Sequence, residues 1–315
     1  MNEPDAAEPL YSLIRRIRKP ESLRELMAAC LRSVYMGDPF STEEGALPEP
    51  PSILREQVSV SASTIGGVRC AIYSPIGTVT ALPLLLYMHG GGFVVGCSED
   101  TDYITRMLCR SNNIVVVSVN YRLAPETVFP GALDDCERVL QSLLTYAERY
   151  SIDPDVVFLC GDSAGANLAA SLSHRLGKST AAPKGLILLA PWLDMELESY
   201  SEYNRLAAKG IVFDAPFLAY ARAAYTDFDK WTDPFVSPIG IPPGVMPPTI
   251  VLTGSADPLV GQTLKLNRNA LNAECTHIQT VVYEGMPHCF YSFPNLFAEE
   301  QDCFRQIAEF VAATR

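Results

Sequence analysis

Short β-branched and aliphatic runs, spaced by stretches of helical periodicity, constrain what this chain can fold into more than any other feature. They fall at Pro83–Met88, Ile114–Asn120, Val156–Cys160, Gly185–Leu189, Thr249–Thr253 and Ile278–Tyr283. The middle four are apolar almost without a break, which suits strands buried on both faces of a mainly parallel sheet. Asp102–Arg110, Leu133–Tyr150, Ala166–Leu176, Gln262–Asn272 and Ala298–Ala313 read as the intervening and closing helices. Such alternation predicts a wound α/β sheet around one core. A length of 315 residues, 48% of them apolar, is enough for that core. Ahead of it, Ile53–Ser61 and Val68–Tyr73 read as an edge hairpin turning at Gly66-Gly67.

Two regions depart from the rhythm. Near the N-terminus, Leu23, Leu26, Met27, Cys30, Leu31, Val34 and Tyr35 repeat at helical spacing and form one apolar face. Before them, Leu10, Leu13, Ile14 and Ile17 interleave with Arg15, Arg16, Arg18 and Lys19. That basic amphipathic segment fits either a membrane surface or, the preferred reading, packing on the protein's own core. Gly45–Pro51 then reads as an extended connector. The second region is the interval of roughly sixty residues between the strands ending at Leu189 and starting at Thr249, far longer than an ordinary connection. Tyr200, Tyr203, Phe213, Phe217, Tyr220, Tyr225, Phe228, Trp231 and Phe235 crowd into it. An insertion so aromatic suits a lid over a binding cavity, or simply core packing.

A net charge of −12 argues against nucleic acid or an anionic membrane as partner. The nine cysteines include no Cys-x-x-Cys pair, and the acidic start Met1-Asn2-Glu3-Pro4-Asp5 lacks the pattern of a signal peptide. Reduced thiols in the cytoplasm are the simplest reading. No apolar run approaches the roughly 18 residues of a membrane span.

The chemistry centres on Gly161-Asp162-Ser163-Ala164-Gly165, which joins the Val156–Cys160 strand to a helix. A tight strand-to-helix turn with glycine on each side lifts a serine hydroxyl clear of the backbone. Such a serine needs a base, and the usual one is a histidine held by a carboxylate. There are four histidines to test. His89 precedes a glycine run, His174 lies three turns along the helix after Ser163, and His277 opens a strand at the wrong edge of the sheet. Among the histidines that come after the Ser163 turn, His288 alone follows a strand's carboxyl end in a loop, where a parallel sheet places its ligand chemistry. Asp257 is the leading acid because it follows the Thr249–Thr253 strand. Asp194, which also follows a strand, and Glu284, near the base, remain rivals. His89-Gly90-Gly91-Gly92-Phe93 follows Pro83–Met88, so the unshielded Gly91 and Gly92 amides can meet a developing oxyanion beside the amide of Ala164. The glycine run lacks the spacing of a phosphate cradle. No metal or cofactor is implied. Phe93 and Phe213 are candidates for lining a substrate pocket.

Together these pieces resemble the bacterial hormone-sensitive-lipase family of carboxylesterases, a branch of the α/β-hydrolases. The resemblance rests on His89–Phe93, Asn120-Tyr121-Arg122-Leu123-Ala124-Pro125-Glu126, Phe129-Pro130-Gly131-Ala132-Leu133-Asp134-Asp135, Gly161–Gly165, Asp257-Pro258-Leu259 and Gly285-Met286-Pro287-His288-Cys289-Phe290. It implies an α/β-hydrolase fold, with a mainly parallel central sheet flanked by helices and a helical cap. The cap would be residues 1–45 and an insertion at 195–240, and the catalytic core 46–194 and 241–315. It also implies Ser163 as nucleophile, His288 as base, Asp257 as its orienting acid, and Gly91, Gly92 and Ala164 as the oxyanion hole. Two departures stand out. Val260-Gly261-Gln262 follows Asp-Pro-Leu where acidic residues are common, and Ala166 replaces a frequent glycine. Arg122 and Glu126 are candidates for a structural ion pair. The expected activity is cofactor-independent hydrolysis of short to medium acyl esters, and a homodimer is compatible with it. The alternatives are a non-catalytic small-molecule receptor on the same fold, against which His288 argues, and hydrolysis of amides, lactones or carbohydrate acetates.

Overall fold

An eight-stranded sheet runs through the computed structural model, which describes residues 51–78, 80–177, 182–207 and 215–315. Its strands are β1 (Val58–Ile65), β2 (Val68–Pro75), β3 (Leu82–Met88), β4 (Val115–Val119), β5 (Ile152–Asp162), β6 (Gly185–Leu189), β7 (Thr249–Gly254) and β8 (Ile278–Tyr283). They lie in the order β1-β2-β4-β3-β5-β6-β7-β8. β2 pairs antiparallel with both β1 and β4, and every pairing from β4 to β8 is parallel. Residues of β4, β6 and β7 are buried throughout, as their unbroken apolar runs predict, whereas the edge strands β1 and β8 are partly exposed.

Side chains alternate across each strand, so each face of the sheet packs its own core. Leu84, Leu86 and Met88 of β3 point into one layer, with α3 (Gly131–Thr145) and α4 (Ala164–Leu176). Leu85 and Tyr87 point into the other, against α2 (Asp102–Asn112) and α8 (Glu299–Thr314). One expectation fails at the edge. The stretch Ile53–Ser61 is not a single strand: Ser52–Gln57 forms the short helix α1 and β1 begins at Val58. Leu54 is buried while Ile53 is 43% exposed, so one helical turn tucks a single side chain under the sheet edge. The turn at Gly66 and Gly67 does form, with both residues at positive φ.

Between β6 and β7 the chain forms the short helices α5 (Ser201–Leu206) and α6 (Ala215–Tyr225) and several single turns. Tyr200, Tyr203, Phe217 and Tyr225 are buried there, while Phe228 is exposed. Past β7 come α7 (Val260–Asn272) and β8. The helical readings within residues 1–45, and Phe213, lie outside the described residues. Among the described residues no helix is long and apolar enough to cross a membrane. Arg122 grips Asp135, at 2.8–3.1 Å through its side chain and 2.9 Å through its backbone N–H, fastening the segment after β4 to α3.

Candidate active site

The order β4-β3-β5 puts the loops after β3 and β5 side by side at the carboxyl edge of the sheet, where the direction of winding changes. β5 ends at Asp162 and α4 begins at Ala164, leaving Ser163 alone in the turn with φ 54° and ψ −118°. A non-glycine residue holds such a conformation only where its surroundings over-determine it. The Ser163 N–H donates to Leu189 O at 2.8 Å, and the Ser163 carbonyl accepts from Trp192 N at 3.1 Å and from Ala166 and Asn167 on the new helix. Both flanking glycines are steric necessities. A Cβ on Gly161 would lie 2.3 Å from Gly165 O, and one on Gly165 would lie 2.0 Å from Met88 O.

The loops after β7 and β8 are fastened to each other. Ser255 N–H donates to Tyr283 O at 2.8 Å, Ala256 N–H to Met286 O at 3.0 Å, and Gly285 N–H to Ser255 Oγ at 2.8 Å. Any side chain at Gly254 would collide with Met286 O. This brings His288 Nδ1 to 2.8 Å from Asp257 Oδ2, with both side chains almost wholly inaccessible. Thr253 OH donates to the same carboxylate oxygen at 3.2 Å and Leu259 N–H to the other at 2.7 Å. Donation from Nδ1–H to the carboxylate leaves Nε2 as the basic nitrogen. Burial alone would lower the His288 pKa. The charge of Asp257 outweighs it, with help from Cys289 and the hydrogen bond to Asp257, and holds the value well above 6.5.

The other candidates are occupied elsewhere. Asp194 takes Tyr200 OH, Lys265 Nζ at 3.1 Å and Glu196 N–H at 3.0 Å. Glu284 is exposed. His277 Nε2 faces Pro243 O at 3.3 Å, and the His174 ring packs near Phe235. His89 stacks on Tyr121 with ring centroids 4.2 Å apart, and burial lowers its pKa to about 4, so it stays neutral.

The glycine loop after β3 turns through positive φ at Gly91 (107°), Gly92 (61°) and Phe93 (67°). A Cβ on Gly91 would lie 2.1 Å from Val95 O. Across the gap, Ala164 opens α4, and N–H groups of a first helical turn have no acceptor within the helix. The helix dipole favours negative charge at the same point. Helix α6 lies against this loop: a Cβ on Gly92 would meet Ala221 Cβ at 3.0 Å and Phe217 Cε1 at 3.1 Å. Phe93 is 1% exposed and stacks on Tyr225 with centroids 3.8 Å apart, so it presents little surface to a ligand.

Two residues of the site region escape a reading by motif. Asp162 is buried beneath the turn, and its carboxylate accepts from Tyr87 OH at 2.6 Å and Gly90 N–H at 2.9 Å. Gln262, the departure after Asp-Pro-Leu, accepts from Leu193 N–H at 2.5 Å and Asp194 N–H at 3.0 Å, and donates to Asp194 O at 3.0 Å. The only signal in the sequence is a polar residue placed inside an otherwise apolar or glycine-rich segment. Among the described residues no group of three or more His, Cys, Asp or Glu side chains is placed to hold a metal ion.

Comparison with known proteins converges on one family. Residues 85–292 match the alpha/beta hydrolase fold family. An esterase of Acinetobacter venetianus is 32% identical over 235 residues, covering 74% of this chain and 76% of that protein. An ethyl acetate hydrolase of Pseudomonas putida is 30% identical over 71% of each chain. The crystal structure of a thermophilic, thermostable carboxylesterase cloned from a metagenomic library superposes over the whole of both chains with a TM-score of 0.77, at 27% identity.

Proposed function

The chain belongs to the alpha/beta hydrolase family and is a carboxylic ester hydrolase, and we propose that it works as a serine esterase of the hormone-sensitive-lipase branch on short to medium acyl esters. The observation that carries this reading is the buried 2.8 Å contact between His288 and Asp257 at the carboxyl edge that also presents Ser163. In the proposed cycle, Ser163 Oγ attacks the ester carbonyl while His288 Nε2 takes its proton. Asp257 holds the imidazole in the tautomer required and stabilises the imidazolium. The Gly91, Gly92 and Ala164 amides receive the oxyanion. His288 then protonates the departing alcohol, and water activated by the same imidazole releases the acid from Ser163.

Residues 195–240, with the N-terminal 45, are assigned to a cap. The packing of Phe217 and Ala221 over Gly92 supports this. The ethyl acetate hydrolase relative is consistent with a small acyl group. A cytoplasmic location is consistent with the eight described cysteines, all free.

The test is Ser163→Ala assayed on p-nitrophenyl butyrate. Turnover is expected to fall by at least about 10³-fold, and wild-type turnover would overturn the assignment. A parallel panel of amide, lactone and carbohydrate acetate substrates, compared by kcat/KM, measures the breadth of the activity.

A further inference from the structure

We infer that Asp162, the residue between Gly161 and Ser163, is a positioning residue that holds the oxyanion loop and the base loop in register with the nucleophile. The inference rests on the serine-esterase reading above. Two separate parts of the chain, the end of β3 with its following loop and the loop after β8, meet at this carboxylate. Tyr87, near the end of β3, donates its hydroxyl to Oδ1 at 2.6 Å. Gly90 donates its backbone N–H to the same oxygen at 2.9 Å. From the loop after β8, the Cys289 thiol lies 3.9 Å from Oδ2, and Tyr291 OH in turn lies 3.4 Å from that sulfur. The fit is tight, since a Cβ on Gly90 would stand 2.3 Å from Oδ2. Gly90 and Cys289 are next to the residues that act: one precedes Gly91 and Gly92, the other follows His288.

The charge of Asp162 matters as well as its shape. A backbone N–H can only donate, and an ionised carboxylate is acceptor-only, so these donors suit the anion. Burial raises the Asp162 pKa, against which Tyr87, His288 and the Gly90 N–H all favour the charged form. Of the titratable groups facing it, Tyr87 of β3, Tyr121 after β4, Cys160 of β5, and Cys289 and Tyr291 of the base loop are each pushed upward by burial and stay neutral near pH 7. His288 is the facing group that turns cationic during the cycle. Because a cationic His288 favours the ionised form of Asp162, an ionised Asp162 favours the protonated imidazole in return, while the Gly90 bond aims the next two amides.

The test compares Asp162→Asn and Tyr87→Phe with the wild-type enzyme, with Ser163→Ala as control. Asparagine keeps an oxygen for Gly90 and Tyr87 and removes the charge. With p-nitrophenyl butyrate, Asp162→Asn is expected to lower kcat by about 10- to 100-fold, with KM within about twofold of wild type. The acidic limb of its kcat/KM profile should move to lower pH by about half a unit or more. Tyr87→Phe keeps the charge, so it should lower kcat by about 3- to 10-fold and leave the limb in place. An unmoved limb in a folded Asp162→Asn enzyme overturns the inference, because loss of packing alone would not shift it. If Asp162→Asn does not fold, Tyr87→Phe decides: reduced kcat at constant KM supports the inference, and wild-type kcat overturns it. Full activity in Ser163→Ala would instead remove the esterase reading itself. An inactive Ser163→Ala beside an unchanged Asp162→Asn removes only the role of Asp162.

Discussion

Asp194 and Asp257 occupy matching places in the fold and are spent on different things. Each is buried, and each follows a parallel strand, β6 for one and β7 for the other, at the same edge of the sheet. Asp257 gives one oxygen to His288 and Thr253 and the other to a backbone amide of its own turn. Asp194 gives its oxygens to Tyr200, Lys265 and Glu196, and its backbone to Gln262 and the Trp192 indole. One carboxylate faces the proposed chemistry, and the other fastens the root of the 195–240 insertion to α7. The strand end supplies a location, and the neighbouring loop decides what the acid does there.

Exchanging each acid for its amide should separate the two most strongly. Asp257→Asn is expected to reduce kcat by about 10³- to 10⁴-fold, because the imidazole loses the partner that fixes its tautomer. Asp194→Asn should stay within about tenfold of wild type, its cost appearing as lower thermal stability. A larger kinetic loss for Asp194→Asn would hand it the catalytic role.

The pH profile sharpens the same contrast. His288 must be neutral to accept a proton, and its pKa is held well above 6.5, with the Asp257 charge overcoming the effect of burial. Activity should therefore fall as pH drops through a value above 6.5, with the acidic limb of kcat/KM located there. In Asp257→Asn that limb should move down, and in Asp194→Asn it should stay. The sign for stability is opposite. With the folded-state pKa raised, the pair stabilises the fold in full below about pH 6.5, and that increment is lost as pH rises through the folded value. Thermal unfolding of the Asp257→Asn variant should show a weaker dependence on pH in that range.

A smaller effect is expected at the root of the insertion. Gln262→Leu strands the Leu193 and Asp194 N–H groups in the interior and should cost about 1–3 kcal/mol of stability, read from denaturant unfolding. Its kcat should remain within a few-fold of wild type, since none of its bonds reaches Ser163 or His288. A large kinetic loss without destabilisation would show that the two acids are coupled through α7.

These contrasts mark how far the sequence could be read. Strands buried on both faces announce themselves as unbroken apolar runs, so β4, β6 and β7 were legible. The candidates Ser163, Asp257 and His288 could be picked out because each follows a strand-like run, although the run before His288 is the mixed, partly exposed edge strand β8. Asp257 is the leading acid but Asp194 stays a rival, since their different surroundings depend on His288, 31 residues beyond Asp257, and on Tyr200 and Lys265. The α1 turn hid inside a strand-like stretch because only Leu54 is buried from it. Phe93 invited a reading as pocket wall, yet Tyr225 from the insertion covers its ring. Gln262 and Asp162 were visible only as departures or fillers within motifs, since their roles consist of bonds to distant backbone.

The central claim is that Ser163 becomes acylated with His288 as its base, and a covalent label tests it most directly. The folded protein is treated with diethyl p-nitrophenyl phosphate and its peptides are analysed by mass spectrometry alongside residual esterase activity. One diethylphosphoryl group on Ser163, formed in proportion to the activity lost and formed far more slowly in Asp257→Asn than in Asp194→Asn, is the predicted result. Loss of activity with the label on another residue, or full labelling of Ser163 with activity intact, would contradict it.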